Sequence, residues 1–387
     1  LMANNPIGDL LAADETFTHQ IPETFATVAQ TDPSWTEKVC AMAMARDGSL
    51  QIGFGLGKYT NRNVMDAYAA VSRGVEQRTV RASRRLATDP ETTVVGPIHY
   101  EVIEPLRSVR FRLEATDTQP IAFDWLHEAV VPPFLEDRTH HRRDYRVASE
   151  LVRYHQTGVA EGWIEIEGER TEMRTDTWVS TRDHSWGVRY DVGTPPTDVE
   201  PREGIPDGVG FMMIWSPILM ERDDGSQYAL HLHFTRFETT GFQQKMVTAQ
   251  VEHPDGTSEP IVDIDPELRF DPVNRRLLGG TLHCTMGDGS ARPLTVEVMG
   301  DTGVHLGAGL YFGFDGHHHG EWRGELHVDG EHIADCSTPE NARRLHQIRD
   351  TTVRVTDPVG GATGWGNCQP IASGPWPDLG LDAENWM

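Results

Sequence analysis

The sequence predicts an all-β protein of two antiparallel β-barrel or half-barrel domains with few short helices. Three observations carry that reading. Apolar and polar residues alternate with period two in segment after segment, the mark of strands with one buried face. The 387 residues include 37 glycines and 24 prolines, which favours many short strands joined by turns. A stretch rich in proline, glycine and acid, VGTPPTDVEPREGIPDG (192–208), divides the chain near its middle. It reads as a linker, leaving an N-terminal β-domain over 1–195 and a C-terminal β-domain over 205–387. Closing such sheets into barrels removes their exposed edges.

Taken in order, LQIGFGL (50–56) sets Leu50, Ile52, Phe54 and Leu56 on one face. Gly53 and Gly55 lie on the other, where backbone or ligand can approach closely. VMDAYAAVSRG (64–74) reads as a short helix. Alternation returns in VRFRL (109–113), IAFDWLH (121–127), WIEIE (163–167), YALHLHFTRF (228–237), LTVEV (294–298) and WRGELHV (322–328). RDG (46–48), EGE (167–169), RDDG (222–225), GDG (287–289) and VDGE (328–331) supply turn chemistry. TPENARRLHQIRD (338–350) is the clearest helix: Thr338 caps it, Pro339 opens it and Glu340 complements its dipole. GWIEIEGE (162–169) echoes GELHVDGE (324–331), and ARDGSLQIGFG (45–55) echoes ERDDGSQYALH (221–231). These echoes suggest an internal duplication.

Composition narrows the function classes. A net charge of −25 argues against nucleic acid and against anionic membrane surfaces. Cys40, Cys284, Cys336 and Cys368 are far apart with no CxxC, so they read as small apolar residues in a reducing compartment. The opening LMANNPIGDLLAADETF lacks a signal-peptide pattern, and no apolar run is long enough to span a membrane. The expectation is a cytoplasmic protein with no membrane insertion. Self-association is left open.

Chemistry concentrates in STRDHSWGVR (180–189). On a strand, Trp178, His184, Trp186, Val188 and Tyr190 share one face, while Asp183 and Arg189 share the other. His184 is therefore an imidazole on an aromatic face, where burial and partners can tune its proton. Asp183 points away from it and pairs with Arg189 to brace the strand. In HLHFTR (231–236), His231, His233 and Thr235 share a face opposite Leu230, Leu232 and Phe234. A metal there would need a third ligand, and no spacing supplies one. FDWLHEA (123–129) puts Phe123, Trp125 and His127 together as core or pocket wall. THHRR (139–143) and HHHG (317–320) read as polar loops. GFGLG (53–57) lacks the strand–loop–helix setting of a phosphate cradle. GxSxG and HExxH do not occur.

RDHSWGVR resembles the signature of a lipocalin-like superfamily of paired barrels that includes carotenoid 1,2-hydratases and AttH-like proteins. YHQTGVAEGWIEIEGE (154–169), YEVIEPLRSVRFRL (100–113), DGSLQIGFGLGKYTNRNV (47–64) and GWGNC (364–368) support the likeness in chain order. The resemblance implies two lipocalin-like β-domains and a lipophilic ligand. It also implies a His-x-Trp pair at the site, matching His184 and Trp186. The hydratases carry a Tyr-x-Asp pair on a later strand; here LHLHFTR offers His231-x-His233 or His233-x-Thr235 instead. The expected function is a cofactor-independent acid/base enzyme, a hydratase, dehydratase or cyclase, acting on an isoprenoid-like or polycyclic substrate. His184 would be the acid/base and Trp186 the cation-stabilising wall. His231 or His233 would be the proton-shuttling partner, and Asp183 a further catalytic candidate. Trp178, Tyr190, Trp215, His127 and Trp125 would line the substrate. The alternatives are a non-catalytic carrier of a lipophile and a metal-dependent enzyme using the histidines.

Overall fold

The computed structural model describes residues 9–201, 204–346 and 348–384. Ahead of the linker lie β1 (Trp35–Ala45), β2 (Gln51–Tyr59), β3 (Val64–Arg73), β4 (Glu76–Arg85), β5 (Val94–Val95), β6 (Ile98–Glu104), β7 (Ser108–Leu113), β8 (Ile121–Ala129), β9 (Phe134–Leu135), β10 (Thr139–Arg143), β11 (Arg146–Ile166), β12 (Glu169–Met173) and β13 (Trp178–Val188). After it come β14 (Gly210–Arg222), β15 (Gln227–Thr239), β16 (Phe242–Glu252), β17 (Ser258–Phe270), β18 (Leu277–Met286), β19 (Ala291–His305), β20 (Leu326–Ile333), β21 (Arg349–Asp357) and β22 (Ala362–Ser373). The helix α1 (Pro339–Arg344) lies between β20 and β21. None of the described helices is long and apolar enough to cross a membrane.

The fold is all-β, as expected. The first sheet runs β20-β4-β3-β2-β1-β13-β11-β8-β7-β6-β5, with β9, β10 and β12 alongside β11. It curls around a core that includes Phe54, Phe111, Trp125 and Trp178. The second sheet closes from β14 through β19, β21 and β22 into an eight-stranded barrel. Side chains such as Ile214, Leu230, Phe234 and Val353 fill it, as an interior of that width allows. A third apolar cluster, including Met42, Tyr68, Val179, Leu219, Val304 and Ile371, joins the outer faces of the two lobes.

Most expected strands form, and five local expectations are corrected. Residues 64–73 are strand β3, not a helix. Met65, Ala67, Ala69 and Val71 face the first core while Tyr68 and Ala70 face the seam between lobes. Both faces are buried, so the exposed polar half of the alternation is missing. VDGE (328–331) runs straight through β20, because pairing with β4 places Asp329 against Arg81. The echo of GWIEIEGE therefore has a different fold: the first copy turns into the β11–β12 hairpin and the second does not. WRGELHV is strand only from Leu326, and THHRR is the exposed strand β10. The helix at 338–350 is confined to α1, capped as expected by Thr338 accepting from the Asn341 amide. Residue 347 and, in the linker, residues 202–203 lie outside the described residues, as do 1–8 and 385–387 at the ends of the two expected domains.

Candidate functional site

Strand β13 is the pivot, because its two faces look into different environments. The inward face carries His184 and Trp186 at the mouth of the half-barrel. Register places His184 beside Tyr154 of β11 and Val39 of β1. Its Nδ1 lies 3.2 Å from the Tyr154 hydroxyl and its Nε2 lies 3.0 Å from Glu37 Oε1. Trp186 meets the imidazole edge-on at 5.8 Å. Arg182 grips Gln156 Oε1 with Nε and Nη2 at 2.9 and 2.6 Å and reaches Tyr154 with Nη1. The hydrogen bond from His184 holds the Glu37 carboxyl below its usual range. Glu37 is 52% exposed, so water reaches this end. His184 and Trp186 thus share a mouth, as alternation requires, but the imidazole is paired on both nitrogens and the setting is polar. Deeper on this side, Trp125, Trp178 and His127 are packed in the core, with His127 Nδ1 2.7 Å from Ser180 Oγ. Tyr190 lies beyond the strand end and is exposed.

Gly187 lets β13 and β11 approach closely. Its φ is +136°, and a Cβ there would sit 2.0 Å from the Glu150 carbonyl oxygen. Only glycine, with no Cβ, accommodates that torsion together with that contact.

The outward face of the half-barrel abuts the barrel. Here alternation on β15 holds: Leu230, Leu232 and Phe234 fill the barrel, while His231 and His233 point to the seam. His155 of β11 is clasped between Glu136 Oε1 at 3.0 Å and Glu252 Oε1 at 2.5 Å. Burial opposes its charge, but these two carboxylates outweigh it and raise the imidazolium above its ordinary range. His231 stacks on His155 with centroids 3.4 Å apart and planes at 14°. Burial and the neighbouring imidazolium drive His231 well below the ordinary range. Neither of its ring nitrogens has a hydrogen-bond partner among the described residues. Burial, then Arg153, lowers His233 to about 4. Arg153 binds Glu136 Oε2 at 2.6 Å, and Trp215 Nε1 approaches Glu136 Oε1 at 3.5 Å.

Glu136, His155 and His231 bring ligand atoms within 4.8 Å of one another, the third ligand that the sequence pattern lacked. Their geometry does not suit a metal ion as it stands. The lone pairs of two stacked, near-parallel rings run side by side, whereas ligation needs them to meet about 2 Å from each nitrogen. The cluster fits a hydrogen-bonded latch between lobes.

Asp183 occupies the middle of the seam, opposite Cys40 and His155 in register. It makes no hydrogen bond or ion pair among the described residues; the expected pairing with Arg189 is absent because Arg189 donates to Ser185 Oγ at 2.6 Å. Burial raises the Asp183 carboxyl, against the pull of Arg153 and Arg189. Asp183, Cys40, Arg153, Tyr311 and His233 are only half-buried although all lie between the lobes, so packing there is incomplete. Burial pushes the Cys40 thiol up to about 12, which keeps it protonated. Nearby, Lys38 Nζ stands 3.0 and 3.1 Å from the two ring nitrogens of His319 and 4.4 Å from the Tyr311 ring centre.

The expected site residues therefore divide. Asp183, His231, His233 and Trp215 meet in the seam; His184 and Trp186 stand on the other side of the sheet. Sequence reasoning missed Lys38, Glu136, His155, Tyr311 and His319. His319 sits in HHHG, read as a solvated loop, yet it is buried against Lys38. A lysine alternating with Cys40 on β1 was the one signal available for Lys38.

Among solved structures, the chain is similar to a protein described as AttH from Nitrosomonas europaea, with 13% identity, 87% of this chain and 92% of that chain covered, and a TM-score of 0.44. It is similar to kievitone hydratase from Nectria haematococca, with 10% identity, coverages of 87% and 89%, and a TM-score of 0.39. It is similar to CghA with Sch210972, with 10% identity, coverages of 92% and 90%, and a TM-score of 0.46. No curated protein sequence matches the chain. A family model described as a family of unknown function, DUF8625, matches residues 10–381, and the chain belongs to that family.

Proposed function

We propose that this protein is a cofactor-independent acid/base enzyme that holds a hydrophobic small molecule in the seam between half-barrel and barrel, with Asp183 giving and taking the proton. The observation that carries the reading is the setting of Asp183. It is a carboxyl without a hydrogen-bond partner among the described residues, raised by burial, facing a half-packed gap. Protonation of an alkene or alcohol needs an acid sheltered from water. Arg153 and Arg189 would steady the carboxylate once its proton has gone. Met42, Tyr68, Met213 and Phe237 from the seam cluster suit an apolar carbon skeleton. Hydration, dehydration and ring closure, the classes the sequence resemblance implies, all use such a step.

A second reading rests on the Glu37–His184–Tyr154 chain at the half-barrel mouth, a carboxylate–imidazole–phenol relay. Paired variants separate the two on a panel of isoprenoid alkenes and allylic alcohols. Asp183→Asn is expected to lower turnover by roughly 10²–10⁴-fold without lowering the melting temperature, while His184→Ala leaves turnover within a few-fold. The reverse pattern moves the site to the mouth. Ligand binding that survives both, with no turnover in the native protein, makes it a carrier.

A further inference from the structure

Of the 34 lysines and arginines in the chain only Lys38, Lys58 and Lys245 are lysine. Lys245 pairs with Asp263 at the surface, and Lys58 donates to the Pro90 carbonyl. Lys38 is different. It is buried in the seam, no carboxylate stands within ion-pair distance of its Nζ among the described residues, and its neighbours are an imidazole and a phenol ring. Arginine cannot shed its proton, whereas a desolvated lysine can become a neutral nucleophile.

We propose that Lys38 is a carbonyl-binding residue, whose amine forms an imine with an aldehyde or ketone group of the molecule held in the seam, with Asp183 relaying the protons. This inference rests on the seam reading above and names its substrate class. The register supports the geometry. Lys38 pairs with Ser185 and Cys40 with Asp183, so Lys38 and Asp183 are diagonal neighbours on one face of the β1–β13 pair. Such neighbours are roughly 7–8 Å apart, within reach of a long side chain and a small carbonyl between them. Burial lowers the Lys38 amine to about 8, against the opposing charge of Asp66. Burial and then the nearby Lys38 lower His319 to about 4, which leaves a neutral ring beside the amine. Asp66 completes the group, 3.8 Å from His319 Nδ1.

The step balances without oxidant or cofactor. The nitrogen–carbon bond forms as the carbonyl π bond opens, and the oxygen takes a proton from Asp183. The carboxylate so formed takes a proton from nitrogen. A second such relay releases the oxygen as water and leaves the carbon–nitrogen double bond. Both amine hydrogens depart with the oxygen.

Three lysines make the test direct. The full chain is incubated with octanal and sodium cyanoborohydride at pH 7.5, digested and mapped by mass spectrometry. The expected result is at least tenfold faster alkylation of Lys38 than of Lys245. Lys38→Met should abolish that adduct, and Asp183→Asn should slow it at least fivefold while leaving Lys245 unchanged. Labelling of Lys38 no faster than Lys245 overturns the imine; a rate at Lys38 indifferent to Asp183→Asn overturns the relay. Anilinonaphthalene sulfonate fluorescence on the same protein separates the two levels. Dye bound with Lys38 unlabelled removes the imine and leaves the seam as a hydrophobic site; neither dye nor label removes both.

Discussion

At the scale of single residues, one strand separates two chemistries. Asp183 and His184 are adjacent in sequence and face opposite sides of the sheet. That division was legible from period-two alternation alone, as was the outward set of His231 and His233. The partners were not legible, because they come from distant strands: Glu136 and Glu252 reach His155 from opposite lobes. Asp350 gives a test of electrostatics in the seam. Burial pushes its carboxyl up to about 7, against the hydrogen bond from Asn367. A raised carboxyl holds its proton more tightly folded than unfolded. Its contribution to stability is therefore fully present below about pH 4 and is lost as the pH climbs to about 7. Above that the buried carboxylate costs about 4 kcal/mol, from about 1.4 kcal/mol per pH unit. Asp350→Asn should melt several degrees above the native protein at pH 8, with the gap closing at pH 4. A constant gap across that range, read by differential scanning calorimetry, would refute the burial of a titrating charge.

At the scale of elements, β20 is the piece the sequence hid most completely. Its alternation identified a strand, but its VDGE turn residues and its position after the linker suggested a hairpin in the second domain. The chain instead leaves the barrel after β19, covers Tyr68 and Lys38 with residues 306–320, and lays β20 on the edge of β4. Edge strands need such cover. Arg81 fixes it, donating from Nε to Asp329 Oδ1 at 2.7 Å and from Nη1 to the Ala308 carbonyl at 2.9 Å. Turn residues in a strand become tolerable when one of them is an arginine's partner. Arg81→Ala should cost roughly 1.5–3 kcal/mol, the worth of charged hydrogen bonds. Amide exchange should quicken in 306–333 while β14–β16 keep their protection. If the barrel loosened equally, β20 would be no separate cover.

At the scale of the whole molecule, the seam makes two lobes into one folding unit. Gly53 shows why the lobes fit: a Cβ there would meet Val304 at 2.8 Å, while Gly55 makes room within the half-barrel for the Tyr68 ring, 2.2 Å from where its Cβ would sit. The glycine face of β2 was readable as a place of close approach, but what approaches it was not. Val304 belongs to β19 and therefore to the other lobe. A half-barrel expressed as residues 1–195 would lose β20 from the β4 edge and expose Met42, Met44, Tyr68 and Val179 together. A contiguous apolar patch next to an open strand edge is an aggregation site. Residues 205–387 alone would leave β20 and the 306–320 cover without a sheet to lie on. Neither half is expected to be soluble and folded by itself. Co-expression of the two pieces should recover one complex with a single melting transition. Should 1–195 alone give dispersed amide resonances and a cooperative melt, the half-barrel is self-sufficient, and β20 only decorates an edge that is already stable.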